Sequence, residues 1–209
     1  MADLFTLSAV DLAALLCSRV CHDIISPVGA INNGLELLDE GGADEDAMKL
    51  IRTSARNASA RLQFARIAFG AAGSAGMLID TGDAEAVAIA FLQNEKPELV
   101  WNGRRALMPK NKVKLLLNLI LVANAAIPRG GKIVVILADP ETEPKFTLSS
   151  AGPMLRVPPK FLELHSGNKP DDPIDAHSVQ PYYTLLLARE SGMTIAIHAS
   201  AEEIVLTAA

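Results

Sequence analysis

Aromatic side chains are scarce. Of 209 residues one is Trp, two are Tyr and six are Phe, 4% in all, although 50% are hydrophobic. A core with so few rings must be filled by Ala, Leu, Ile and Val, which suits close-packed helices. Cysteine is almost missing too. Cys17 and Cys21 share one apolar segment and make no disulfide framework, which points to a reducing compartment. There is no excess of positive charge: 19 Lys and Arg stand against 24 Asp and Glu, a net charge of -5, which argues against bulk binding to nucleic acid or an anionic membrane. The start, MADLFTLSAVDLAALL, carries Asp3 and Asp11 without a basic region, unlike a secretory signal. The longest apolar stretch, Leu115 to Ile127, is broken by Asn118 and Asn124 and falls short of the ~20 residues a span needs. The expectation is a cytoplasmic protein of one domain or two small ones, with no nucleic acid or membrane as partner.

What is present is periodicity. Val10, Ala14, Cys17, Cys21, Ile24, Val28, Ile31, Leu35 and Leu38 alternate steps of four and three, an unbroken helical seam. Gly41-Gly42 supply a stop, and Asp44, Glu45 and Asp46 place acids in the first turn of a second helix, where its dipole favours them. The second seam is Met48, Ile51, Ala55, Ala58, Leu62, Ala65 and Phe69. Residues 8 to 69 therefore read as an antiparallel helical hairpin. Such a hairpin cannot bury its stripe alone, and pairing with a second copy into a four-helix bundle resolves this, so a homodimer is expected. Residues 70 to 76, GAAGSAG, read as a flexible joint. The division expected is a helical dimerisation domain at 1–70 and a second domain at 77–209.

Beyond the joint, short β-like runs mix with helices. Leu78-Ile79 and Leu99 to Trp101 read as strands and Ala84 to Leu92 as a helix, with Pro109 in the first turn of another running to about Ile127. Strands follow at Lys132 to Ala138 and Lys145 to Ser149, then a helix around Gln180 to Glu190 and a hairpin of Thr194 to His198 and Ile204 to Thr207. Five prolines leave 150 to 178 largely irregular. The fold class is α+β, with the second domain a small α/β sandwich.

The segment bearing chemistry is Leu16 to Gly29, LCSRVCHDIISPVG. His22 follows the seam residue Cys21, and one residue is a turn of about 100°, so its imidazole projects from the flank of the bundle. Its neighbours there are Ser18, Arg19, Ser26 and Gly29, with Leu15 and Ile25 at the margin, a surface of small residues open to a protein partner. Pro27 lies inside the helix at a cost of about 3 kcal/mol. Asp23 beside His22, with a proline bend one turn on, would orient the ring and leave its other nitrogen free as a nucleophile able to take a phosphoryl group. A loosely spaced haem or metal site at Cys17, Cys21 and His22 is disfavoured because both sulfurs fall on the seam.

The run His22-Asp23-Ile24-Ile25-Ser26-Pro27-Val28 resembles the phosphoacceptor box of sensor histidine kinases, and the wider run CSRVCHDIISPVGAINNGLELL is similar to the ChpT family of alphaproteobacterial histidine phosphotransferases. The likeness spans essentially the whole chain. It implies His22 as phosphoacceptor, Asp23 orienting or deprotonating it, Pro27 as a structural residue, and a second domain like a degenerate kinase ATP-binding domain. In that comparison Val122 stands where kinases have a Mg-ligating Asn, with Asn124 displaced by two; Ser150 replaces an adenine-reading Asp and Met154 a glycine. No glycine lies between Pro170 and Tyr183 to cradle phosphates. No cofactor is therefore expected, Mg being supplied by the partner.

The implied donor is the receiver domain of a hybrid histidine kinase, and the implied acceptors are response regulators, CtrA-like and CpdR-like, in cell-cycle control. Receiver sites are acidic, and Ala47 to Phe69 holds no acid while carrying Lys49, Arg52, Arg56, Arg61 and Arg66. Arg52 and Arg56 are candidates for steering the encounter. The competing readings are a non-catalytic dimeric scaffold that binds regulators and an autophosphorylating kinase with an unusual nucleotide site. His165, His177 and His198 have no partner legible in the sequence, and Tyr182 and Tyr183 are expected to pack.

Overall fold

Ser8 opens the first helix, its hydroxyl accepting from the Asp11 amide at 3.1 Å and donating to the Asp11 carboxylate at 2.7 Å. From there α1 runs Ala9–Asp39 and α2 runs Asp44–Ala68. The computed structural model describes residues 6–41, 44–70, 77–167 and 172–209. Beyond Gly70, the joint expected at 70–76 lies outside the described residues, as does Gly42. Gly41, at φ +72°, ends α1, and its amide donates to the Leu38 carbonyl. The two helices meet closely at Gly34, where a Cβ would come within 2.6 Å of Ile51 Cγ1 and 3.3 Å of the Ala47 carbonyl. Pro27 is buried and α1 continues through it.

The hairpin closes on a stripe that shares only part of the expected seam, Ile31, Leu38 and Ala58 among it. Within the chain α1 turns Leu12, Leu16, Val20, Pro27, Ile31, Gly34 and Leu38 inward, while Val10 (78% exposed), Ala14, Cys17, Cys21, Val28 and Leu35 stay exposed. On α2, Ala47, Ser54, Ala58, Ala60, Phe64, Ile67 and Ala68 are buried, and the seam residues Met48, Ala55 and Leu62 are exposed. The reason is that both helices must also meet the C-terminal half, so one apolar stripe serves the chain and a neighbouring stripe remains unused by it. Among the described residues, α1 alone is long and apolar enough by length and composition to cross a membrane. Looking for an uninterrupted apolar run passes over it because Asp11, Arg19, His22 and Asp23 break it up.

The C-terminal half comprises β1 (Leu78–Asp80), α3 (Thr81–Leu92), β2 (Pro97–Asn102), β3 (Leu107–Pro109), α4 (Lys110–Ala126), β4 (Gly131–Ala138), β5 (Lys145–Ala151), α5 (Pro159–His165), α6 (Val179–Glu190), β6 (Ile195–Ala199) and β7 (Ile204–Ala208). Five strands form a sheet in the order β2-β4-β5-β7-β6, parallel between β2 and β4 and antiparallel elsewhere, and β1 pairs with β3 apart from it. Register puts Val135, Leu148, Leu206 and Ile197 in one row across four strands, and Leu137, Phe146, Ala208 and Ile195 in the next. Those faces are buried or half-buried while Lys132, Ile136 and His198 are not, as alternation in a one-sided sheet requires. The apolar run Leu115 to Ile127 is the central helix α4, buried nearly all round between the sheet and the other helices.

Two elements escape the sequence reading. Strand β3 is three residues long and leads directly into α4. Helix α5 lies within the segment expected to be irregular, because Pro159 occupies the first helical turn, where a missing amide costs nothing.

The hairpin is fastened to the sandwich at several points. Phe64 packs on Phe91 with ring centroids 4.6 Å apart, and the Leu7 amide donates to the Tyr182 hydroxyl at 3.2 Å. Arg61 bonds Glu95 at 2.6 Å while its guanidinium lies over the Phe91 ring. Fully buried Asn118 donates to the carbonyls of Ala68 (3.1 Å) and Lys114 (2.9 Å), and Gln180 donates to its carbonyl at 3.0 Å, so one amide ties α2, α4 and α6 together. Asn118→Leu takes the side-chain donor from the Ala68 and Lys114 carbonyls and the Oδ1 acceptor from Gln180, and should cost about 2 kcal/mol, read from urea midpoints.

Burial, reinforced by Glu190, pushes the Tyr183 hydroxyl up to about 12. The folded chain therefore keeps that proton longer than the unfolded one, so this stability is full below the ordinary tyrosine value and is lost as pH climbs through about 12. Lys114, which donates to Tyr183 at 3.3 Å and is lowered by burial and then by Lys110, acts in the opposite sense below its ordinary value. Tyr183→Phe should flatten the alkaline decline in denaturation midpoints.

Candidate functional site

The middle of α1 presents three faces to three surroundings. His22 stands clear of the hairpin with 67% of its side chain exposed, and its Nδ1 faces Asp23 Oδ1 at 3.5 Å. Asp23 is less exposed and shared: its Oδ2 accepts from Arg19 Nε at 3.0 Å, leaving Oδ1 for the imidazole. An i, i+4 pair on a helix holds that carboxylate in one orientation. Around His22 on α1, Ser18, Ser26 and Ile25 are exposed and Leu15, Arg19 and Gly29 are half-buried. Ile25 is 68% exposed, a large apolar side chain beside the imidazole.

A second histidine reaches the same place from the other half of the chain. The His177 ring lies edge-on to His22, centroids 5.4 Å apart and planes at 79°. Its turn is tightly bonded: Asp175 Oδ1 accepts from the amides of His177 (3.0 Å) and Ser178 (2.8 Å) and from the Ser178 hydroxyl (2.6 Å). Those bonds, the Ser178 hydroxyl first, hold the Asp175 carboxyl below the usual carboxylate value. Asp175-x-x-Ser178 just before α6 is a turn signature, the one signal in the sequence that could have marked this position. His165, also silent in sequence, bonds the Ile195 carbonyl through Nε2 at 2.9 Å.

Beside this pair a cleft of about 480 Å³ opens between the hairpin, α4 and the start of α6, lined by Arg19, Asp23, Arg61, Glu95, Val122, Asn124, Lys160, His177 and Gln180 among others. Its carboxylates are engaged, Asp23 with Arg19 and Glu95 with Arg61. Val122 offers no lone pair, and Ser150 is buried with its hydroxyl directed at the Ala123 carbonyl at 3.5 Å. Met154 is 38% exposed. Around the other flank of α1, Cys17 and Cys21 line an apolar groove of about 480 Å³ with Leu16, Leu62, Ala65 and Phe69, on a different face from the imidazole.

The basic residues of α2 do not share one face. Arg61 lines the cleft, Arg66 the apolar groove, and Arg56 a hollow against α3 with Gln93 and Asn94. Five-residue steps turn about 140° round a helix, which scatters them. Arg52 and Arg56 are both exposed, further along α2, and neither lines the cleft beside His22.

Comparison with known proteins agrees with this architecture. Residues 81–203 match the family described as histidine phosphotransferase C-terminal domain. The chain is 73% identical over 203 residues to protein phosphotransferase ChpT of Brucella abortus (strain 2308), covering 97% of each. A bacterial phosphotransferase solved at 1.7 Å superposes with a TM-score of 0.93 at 70% identity, covering 98% of each chain. Matching over nearly its whole length in both sequence and fold, the chain belongs to the histidine phosphotransferase family.

Proposed function

We propose that His22 is the phosphoacceptor of a phosphorelay, taking its phosphoryl group from an aspartyl phosphate on a hybrid kinase receiver and passing it to response-regulator aspartates. The observation that carries this is an imidazole exposed in mid-helix with Nδ1 directed at a carboxylate that an arginine already holds. With the proton on Nδ1, Nε2 keeps its lone pair. Nε2 attacks phosphorus, the bond from phosphorus to the aspartyl oxygen breaks, and the carboxylate leaves with the electron pair. The ring then carries positive charge, which Asp23 stabilises or relieves by accepting the Nδ1 proton. The return transfer runs the same steps backward onto a second receiver.

The receiver supplies the divalent metal, while this chain supplies orientation and the nucleophile. Docking falls on Leu15, Ser18, Arg19, Ile25, Ser26 and Gly29, with Arg52 and Arg56 adding positive potential at longer range. The acceptors are regulators of the CtrA and CpdR kind, met in the cytoplasm. No nucleotide step is needed, a reading supported by the apolar Val122 and the internally bonded Ser150. Incubating the protein with a labelled, phosphorylated receiver should move label onto wild type and none onto His22→Ala. Equal retention by both would leave only a scaffold, and label taken from ATP alone would make the protein a kinase.

The exposed stripe on α1 and its groove against α2 support a second copy as occupant, giving a four-helix bundle with an imidazole on each flank. Light scattering at micromolar concentration should give twice the chain mass, and the double change Val28→Glu, Leu62→Glu should bring it to a monomer. A monomeric wild type would remove the bundle.

A further inference from the structure

His22 needs more than exposure to act, because a side chain two-thirds in water samples several rotamers, and few of them aim a nitrogen at a docked phosphorus. Asp23 alone restrains it weakly, at 3.5 Å. Among the described residues the ring also meets His177, from the turn that opens α6. We propose that His177 is a positioning residue for phosphoryl transfer, holding the His22 ring edge-on so that Nδ1 stays on Asp23 and Nε2 points away from it toward the receiver. The inference rests on His22 being the acceptor.

Three observations support it. The pair has the separation and tilt of a T-shaped ring contact, 5.4 Å and 79°, an arrangement that rings favour over face-to-face stacking. The mount is rigid: Asp175 Oδ1 takes three hydrogen bonds from His177 and Ser178, and the Asp175 amide donates back to the Ser178 hydroxyl at 2.9 Å. The turn is also anchored beyond itself, since Gln180, the second residue of α6, bonds the buried Asn118 that fastens α2. With its backbone held in this way the exposed His177 ring keeps only its own side-chain torsions free, whereas a ring on a mobile turn could not restrain a partner.

This gives the C-terminal half a part in the chemistry of the hairpin. His177 does not touch the reacting atoms; it narrows the orientations of the ring that does. Its loss should therefore lower the rate within the docked complex and leave docking unchanged.

The test uses the full chain with His177→Ala and His177→Phe, the second restoring a ring without nitrogens. Single-turnover transfer from a phosphorylated receiver is followed across receiver concentration, and the His22 Cε1 proton is followed by NMR. His177→Ala should slow the saturating rate by about three- to tenfold with the half-saturating concentration unchanged, and His177→Phe should recover to within about twofold. The His22 resonance should move in His177→Ala and stay near its place in His177→Phe. A wild-type saturating rate in His177→Ala, a loss confined to the half-saturating concentration, or an equally slow His177→Phe overturns the proposal. If wild type itself takes no label, the acceptor reading has failed, and the NMR shift still reports whether the two rings touch.

Discussion

A single helix has to satisfy three surroundings at once, and the rest of the molecule follows from that. At about 100° per residue, α1 gives one stripe to its own chain, leaves a neighbouring apolar stripe exposed, and turns a third, polar face outward. Pro27 and Gly34 are on the first, Val10, Cys17 and Val28 on the second, and His22 on the third. The steep cost of proline inside a helix is tolerated on the buried side, where packing can offset it.

The electrostatics of the site are equally partitioned. Asp23 could have been neutralised by Arg19, since the two form a close pair on successive turns, yet the guanidinium engages Oδ2 and the imidazole faces Oδ1. A carboxylate divided in this way serves both partners at once. Lys160 pairs with Glu163 and Arg61 with Glu95, so the cationic groups of the cleft are largely committed to neighbours. The positive potential along α2 is accordingly diffuse.

Much of the architecture was legible because it is written in local patterns. The hairpin, the central helix and the paired strands follow from periods of 3.6 and 2, and the exposure of His22 from its place one residue beyond Cys21. Which stripe each helix would bury was not legible. Val10 and Val28 form the cleaner repeat, but the choice is made by Phe91, Asn118 and Tyr182, residues far away in the chain. The same holds for His177, about 155 residues from His22, since contacts of that separation leave no periodic trace. Helix α5 was hidden for the opposite reason, a local one: prolines read as breakers when one of them was a start.

The fastenings between hairpin and sandwich carry a further consequence. Leu7 is tied to Tyr182 at the root of α1, the end of α2 is held by Asn118, and Arg61 is clasped by Glu95. A kinase that phosphorylates itself must carry its nucleotide to its own histidine and then withdraw, which demands slack between the two halves. This chain is laced shut at the places where slack would be needed. In the proposed relay the phosphoryl group then comes and goes on partner proteins, with this chain as the quay between them.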